Sequence, residues 1–386
     1  MVSNVKIKFK TDSHREVLNL IRKHKEISGA ELARLTNFQP STVVYILRYL
    51  EKKGYIEVSR IGSSMGSAGK PPTLWKLVSD CGYIIGIEVI PDEIRVTVID
   101  FANNVIHQKI NKEYKNIRDK EIISIIDDLM QSLLSELSIP KQKVIGIGIA
   151  VPGLVDQKNG VILYSRNLHI KDLSLKKELE KVLKLPVDVA NDSNAGVLGI
   201  KWHSNNINNF PPNIIFLTIN EGVRDIGAGL ILNNKLYIGG FGTAGELATS
   251  LPDIPKLMEK GMKKYGKNFA IVKEYLDSGD ISISNVAKYC RDNCQFSNFI
   301  LRNISKYITK EILRIVEFIN PNAIVIGGDI SEAEFIMNDY IIPSVEKKAH
   351  KLFPVGVQIP DIHFSPFGSY SVSMGATALV LRKLFV

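Results

Sequence analysis

The chain has 386 residues, more than one hydrophobic core usually serves, and its 45% hydrophobic and 23% charged content excludes fibrous and disordered classes. No apolar run reaches membrane-spanning length, and no apolar stretch follows the basic residues of the N-terminus, so no leader is expected and the chain reads as cytoplasmic. Three cysteines, Cys81, Cys290 and Cys294, are too few for a disulfide framework, and the net charge of +9 is concentrated, residues 1–80 holding 14 Lys and Arg against 7 Asp and Glu.

A basic segment of this kind favours a polyanion such as DNA. Within it, Ser13-His-Arg-Glu16 has capping-box spacing ahead of Val17, Leu20, Ile21 and His24. Ser28-Gly-Ala-Glu31 repeats that spacing ahead of Leu32 and Leu35, with Ile27 and Leu32 at the staple positions. A third helix begins at Pro40, suited to a first turn, and Val43, Ile46 or Leu47, and Leu50 share its apolar face.

Only Asn37-Phe38-Gln39 links the second and third helices, so the segment resembles a helix-turn-helix. Ala33 permits close approach, Asn37 suits the left-handed turn, and Phe38, Val43 and Ile46 fill the space between the helices. The exposed face of the third helix would carry Ser41, Thr42, Tyr45 and Arg48, with Gln39 at its start, all able to donate to phosphates or base edges. Tyr55 to Arg60 and Thr73 to Val78 read as strands joined by a Gly-, Ser- and Pro-rich stretch, a wing in which Lys70 can reach phosphate.

From Cys81 the pattern alternates strand and helix. Tyr83 to Val89, Ile94 to Asp100 and Val105 to Ile110 read as strands, followed by a helix from Lys120 to Leu137 and a buried strand Val144 to Val151. A second set begins with strands Ile214 to Ile219 and Ile226 to Leu232 and ends with a helix near Phe299 to Ile319 and a strand Ala323 to Gly327. The expected fold class is α/β: a winged helix-turn-helix over residues 1–80, then a body over 81–386 built of two similar halves with ligands between them.

Five stretches in this body, four of them containing glycine, carry a family resemblance. They are Ile147-Gly-Ile-Ala-Val-Pro-Gly-Leu-Val-Asp156, Asn191-Asp-Ser-Asn-Ala195, Ile226-Gly-Ala-Gly-Leu230, Gly242-Thr-Ala-Gly-Glu246 and Asn320-Pro-Asn-Ala-Ile-Val-Ile-Gly-Gly328. In this order they resemble the landmarks of the ROK family of sugar repressors, uncharacterised frames and sugar kinases, and the N-terminal segment is similar to that of its repressor branch. The resemblance implies an actin-like, two-lobed sugar-kinase fold that is dimeric or higher.

Asp192 follows the apolar strand Val187 to Ala190, at a strand end where a cleft would lie. The resemblance matches Asp192 to the kinases' general base and Asn191, Glu246 and Asn167 to partners of neighbouring sugar hydroxyls. The general-base task needs an ionised acceptor within hydrogen-bond reach of a sugar hydroxyl.

The phosphate-handling loops depart from the family pattern. Glu88-Val-Ile-Pro-Asp-Glu93 stands where the kinases carry two glycines and a Thr, so Pro91 removes a donor and Asp92 and Glu93 would repel a polyphosphate. Asn220-Glu-Gly-Val-Arg-Asp225 is lengthened and adds Glu221 and Asp225, with Arg224 as a nearby cation. Thr249 replaces the His that accompanies a three-cysteine zinc cluster in other members, and Cys290 and Cys294, one turn apart, read as ordinary helix residues. The expectation is therefore a homodimeric, sugar-responsive repressor without cofactor, metal or catalysis, binding double-stranded operator DNA. Two other readings remain, a sugar kinase with a fused DNA-binding module and a repressor controlled by a protein partner.

Overall fold

The structure is a computed structural model that describes residues 7, 9–61, 71–203, 211–220, 223–279, 281–292, 294–333, 335–352 and 358–385. The N-terminal unit comprises α1 (Asp12–His24), β1 (Ile27–Ser28), α2 (Gly29–Thr36), α3 (Pro40–Lys52), β2 (Ile56–Ile61) and β3 (Thr73–Leu77). Its strands form one antiparallel sheet in the order β1-β3-β2, giving the winged helix-turn-helix. Val17, Leu18, Ile21, Leu32, Val43, Ile46 and Leu50 are buried at its centre, at the spacing of amphipathic helices.

Local chemistry explains most of the boundaries. Ser28 caps α2 as a full capping box: its hydroxyl accepts from Glu31 N–H, and the Glu31 carboxylate accepts from Ser28 N–H at 3.0 Å. Asn37 takes the left-handed conformation after α2 (φ 58°), and Pro40 opens α3. The box expected at Ser13 does not form. The helix starts two residues earlier, at Asp12, and Thr11 before it turns its hydroxyl to His14 Nδ1 at 2.8 Å instead of capping. Leu35, expected on the apolar face of α2, is 45% exposed because this helix is only 8 residues long and buries Leu32 and Thr36 instead.

The body begins with the antiparallel meander β4 (Tyr83–Ile90), β5 (Glu93–Asp100) and β6 (Val105–Asn111), then α4 (Glu121–Glu136) and β7 (Val144–Val151). A small sheet of β8 (Leu154–Asp156), β9 (Val161–Ser165) and β10 (Ile170–Leu173) precedes α5 (Leu175–Leu183), β11 (Val187–Asn191) and α6 (Asp192–His203). The second half contains β12 (Ile214–Asn220), β13 (Val223–Leu232), β14 (Lys235–Tyr237) and β15 (Glu246–Ser250). Helices α7 (Ile254–Tyr265), α8 (Ala270–Ser278), α9 (Ile283–Arg291) and α10 (Gln295–Phe318) follow, then β16 (Ala323–Gly327), α11 (Ile342–Leu352), β17 (Asp361–Phe364) and α12 (Ser371–Phe385).

The two halves repeat one topology. In the first sheet, β11-β7-β4-β5-β6, a three-strand meander is extended by two strands parallel to β4; in the second, β14-β13-β12-β16-β17, the same meander is extended by two strands parallel to β12. Each half then sends the helix after its last strand onto the other's sheet. Helix α6 packs on β12 and β13, and α12 packs on β4 and β7. Where these helices cross, Gly199 meets Gly375, and a methyl group at position 375 would stand 2.0 Å from the Ala195 carbonyl oxygen.

Cys290 and Cys294 do not share a helix as expected: α9 ends at Arg291 and Cys294 is the N-cap of α10, which starts four residues before the expected Phe299. Among the described residues no helix is long and apolar enough to cross a membrane.

Candidate effector cleft and nucleic-acid interface

The four residues nominated for an effector line one cleft of about 550 Å³ between the halves. Asn191 closes β11 and caps α6, its side-chain oxygen accepting from Asn194 N–H at 3.1 Å while its amide donates to the Gly153 carbonyl at 3.0 Å. Asp192 is thereby fixed at the first turn of α6. Its Oδ1 accepts from Ser193 N–H at 2.7 Å and from the Ser193 hydroxyl at 3.2 Å. Burial pushes the Asp192 carboxyl up to about 6, against the Ser193 bonds that favour ionisation.

Glu246 opens β15 opposite Gly227 on β13. Gly245 before it has φ 91°, and a side chain there would meet the Ala228 carbonyl oxygen at 1.8 Å, so only glycine delivers Glu246 to this wall. The Glu246 carboxyl is raised from its ordinary value, by burial first and by Asp225 second. Asn167 stands in the turn between β9 and β10, which Ser165 braces by accepting from Leu168 N–H at 3.3 Å.

An ion pair crosses this cleft. Arg166, beside Asn167, donates to Asp225 on β13, which also accepts from the Ser250 hydroxyl. Arg166 thus offsets the Asp225 charge; Glu221 and the Arg224 side chain lie outside the described residues. Arg166 was adjacent to a nominated residue, but its partner is 59 positions away and no local pattern announces the pair. With Asp192, Asp225 and Glu246 against Arg166, the ionised cleft is net negative.

A second cavity between the halves, about 680 Å³, is walled by Asp92, Glu93, Asp253, Asp329 and Glu332 with Lys112 and Lys115. Behind it lies a buried hub. Arg95 on β5 donates to Asp329 Oδ1 at 2.7 Å, to Asn220 Oδ1 at 3.1 Å and to the Ser369 carbonyl at 3.0 Å, and it is paired with Glu93. Asn220 in turn donates to Glu88 Oε1 at 2.8 Å. Burial outweighs the pull of Arg95, 3.8 Å away, and pushes Glu88 up to about 8. The hairpin where the family's kinases present glycines is therefore a tied, acidic turn.

The residues present do not fit a zinc site. Thr249 donates to Glu311 Oε1 at 2.8 Å and accepts from Arg314, tying β15 to α10, and among the described residues no group of three or more His, Cys, Asp and Glu could hold a metal ion.

In the N-terminal unit, Gln39, Ser41, Thr42, Tyr45 and Arg48 are all exposed on α3 or its N-cap. Lys70 lies outside the described residues. The chain before α1 adds a cation that the sequence reading missed: Lys10 Nζ donates to the Tyr45 hydroxyl at 2.6 Å and lies 5.3 Å from its ring centroid. Arg60 on β2 is drawn back to Glu26 at 2.9 Å, away from that face.

Comparison with known proteins is consistent with this geometry. The MarR family profile matches residues 11–62. A xylose repressor of Caldicellulosiruptor bescii is 27% identical over 82% of each chain, and one of Bacillus subtilis is 26% identical over 95% of this chain and 94% of its own. The transcriptional dual regulator NagC of Escherichia coli is 21% identical over 95% of this chain and 92% of its own. A solved ROK family transcriptional regulator, described as a homologue of the Escherichia coli Mlc protein, superposes with a TM-score of 0.73 over 97% of both chains at 20% identity. A ROK glucokinase from Streptomyces griseus, solved with glucose and AMPPNP, superposes at 0.63 over 78% of this chain and all of its own at 19% identity. The ROK family profile itself matches residues 84–383, both halves and the cleft between them, and the chain belongs to the ROK family.

Proposed function

We propose that the protein is a transcriptional repressor that binds operator DNA through α3 and releases it when a neutral sugar enters the cleft of Asn167, Asn191, Asp192 and Glu246. The observation that carries this reading is the convergence of those four polar side chains on one cleft in a chain that also presents an exposed helix-turn-helix face. Relatives named as xylose repressors, similar along nearly the whole chain, support it. Ionised carboxylates accept from sugar hydroxyls, each such bond contributing about 1.5–3 kcal/mol. The net negative wall favours an uncharged polyol over a sugar phosphate or uronate.

The reading is non-catalytic. Acidic residues Asp92, Glu93, Asp253, Asp329 and Glu332 around the second cavity disfavour a nucleotide polyphosphate. We assign residues 1–80 to DNA recognition and 81–386 to effector binding and self-association, the active form being a homodimer whose two α3 helices read a roughly palindromic site. The test is thermal stabilisation of the full chain by D-xylose, D-glucose, N-acetylglucosamine, their phosphates and Mg-ATP, paired with light scattering and operator titration. One free sugar that raises Tm and weakens operator binding supports the reading. Stabilisation by Mg-ATP with phosphate transfer to sugar would replace it with a kinase.

A further inference from the structure

Helix α6 has one end in the effector cleft and the other on the winged helix. It opens with Asp192 and closes with Trp202 and His203, a span of about 18 Å for 12 residues. Arg22, on α1 of the winged helix, donates from Nη1 to the Trp202 carbonyl at 3.2 Å and stacks on the Trp202 ring at 4.7 Å. The same guanidinium lies 5.3 Å from the ring of Phe385, in the last turn of α12. Nε donates to Asn19 Oδ1 on α1 itself at 3.1 Å, which fixes the side chain's direction. One arginine of the winged helix therefore touches the ends of both crossing helices.

These two helices have little freedom to move apart. Their backbones touch at Gly199 and Gly375, where neither position has room for a methyl group. Near its C-terminal end α6 is tied again: His203 Nε2 lies 2.9 Å from Thr377 Oγ1 and 3.2 Å from the Met374 carbonyl. Since Thr377 itself donates to Met374, His203 is the donor to both. Residues Asp192 through Ile200 are all buried, and close-packed interiors pass a displacement on instead of absorbing it. The last carbonyls of α6 have no partner within the helix, so a cation there is favoured both as a donor and by the helix dipole.

We propose that the α6–α12 pair is the coupling element between the effector cleft and the DNA-binding face, and that Arg22 is the residue through which α1, and with it α3, senses the position of that pair. This rests on reading the cleft as an effector site. A ligand bonded to Asp192 acts on the first turn of α6; the pair responds as one body; Arg22 transfers the shift to α1, whose Val17, Leu18 and Ile21 share a core with Val43, Ile46 and Leu50 of α3. Arg22 makes no part of the exposed α3 face and none of the cleft, so it is a positioning residue. For coupling to exist, the ligand must bind the two arrangements unequally.

The test uses the full chain, an operator duplex selected from a random pool, and D-xylose or whichever free sugar raises Tm. Wild type should lose roughly tenfold or more in operator affinity with sugar, within the usual range of allosteric coupling. In Arg22→Met, operator affinity without sugar and the sugar-induced rise in Tm should stay within twofold and within error of wild type, while the sugar effect on operator binding falls below twofold. Arg22→Lys, which keeps the charge and loses the stacking plane, should retain part of it. An Arg22→Met protein that folds and responds to sugar as wild type does overturns the proposal. If no sugar affects wild type, the repressor reading fails, and hydrogen exchange decides the coupling separately. Operator that slows exchange over residues 192–203 in wild type but not in Arg22→Met supports it; equal protection in both overturns it.

Discussion

Arg95 of the first half and Asp329 of the second are joined by a charge-assisted hydrogen bond of 2.7 Å, with the arginine side chain 1% exposed. The bond spans the two lobes at the back of their cleft, so the angle between them is held by a buried cation and the acids around it. Removing one member of such a group leaves uncompensated buried charge, which costs about 3–5 kcal/mol. Arg95→Met is expected to lower the urea unfolding midpoint accordingly, and Lys112→Met, an exposed neighbour paired with Glu93 at 3.6 Å, is expected to change it by less than about 1 kcal/mol.

Glu88 gives this hub a pH signature. Burial pushes its carboxyl up to about 8, so the folded chain holds a proton that the unfolded chain has already released. The contribution to stability is complete below the ordinary carboxylate value of 4.5 and is lost as pH rises through about 8. Wild type should therefore lose stability between pH 5 and pH 8 relative to Glu88→Gln, whose amide cannot ionise. Urea titrations at both pH values measure the difference, and parallel behaviour of the two proteins would rule out this assignment.

Asp192, raised to about 6, makes effector binding pH-dependent in the opposite sense. An ionised carboxylate is the stronger acceptor of a sugar hydroxyl, so affinity should rise from pH 5 to pH 7 and level off above it. Asp192→Asn keeps the shape and loses the charge; the affinity is expected to fall about 10- to 100-fold, the equivalent of one charged hydrogen bond. Calorimetric titration across that range, with glucose 6-phosphate as the anionic control, checks both effects.

Ser28 and Ser13 sit at the same spacing from a glutamate, and only Ser28 completes its box. Ser28→Ala is expected to cost about 1 kcal/mol, and Ser13→Ala to stay within about 0.5 kcal/mol, as read by thermal unfolding. The contrast also marks what the sequence can convey. Capping spacing is necessary for the motif but does not suffice, since α1 starts at Asp12 and Ser13 falls inside its first turn.

Amphipathic elements were legible and enveloped ones were not. Strand β7 falls on Val144–Val151 as expected, because a fully apolar run between turn residues has few other folds available. Helices α6 and α12 escaped notice because they are covered on every side: Asp192–Ile200 and Ser371–Leu381 are all buried, so neither shows a 3.6-residue period. The candidate cleft was legible in Asn191, Asp192, Glu246 and Asn167 because landmarks with a family resemblance contain the first three of them. The pairs that span the lobes, Arg166 with Asp225 and Arg95 with Asp329, join residues that are 59 and 234 positions apart. Arg95 sits between Ile94 and Val96 on a strand, where alternation alone reads it as a solvent-facing residue, although the second lobe covers it.

Lys10 and Arg48 should separate phosphate attraction from base reading at the DNA face. Lys10 is exposed, leans on the Tyr45 ring and donates to its hydroxyl, which holds the ammonium beside the middle of α3. A cation placed there meets the sugar-phosphate backbone first, since phosphates flank any groove that admits a helix. Each phosphate neutralised contributes about 0.9 to the slope of log affinity against log salt. Lys10→Ala is therefore expected to flatten that slope by about one unit and to weaken selected and random duplexes equally. Tyr45→Phe should reproduce part of the loss, because the ring contact survives while the hydroxyl acceptor is gone. Arg48 lies on the exposed face of α3 without a tether in the described hydrogen bonds, so it is free to reach a base edge. Its replacement by Ala should lower affinity for the selected duplex by about 1–3 kcal/mol and spare random DNA. Equal loss on both duplexes for Arg48→Ala would move it to the phosphate class with Lys10, and a selective loss for Lys10→Ala would reverse the assignment of the pair.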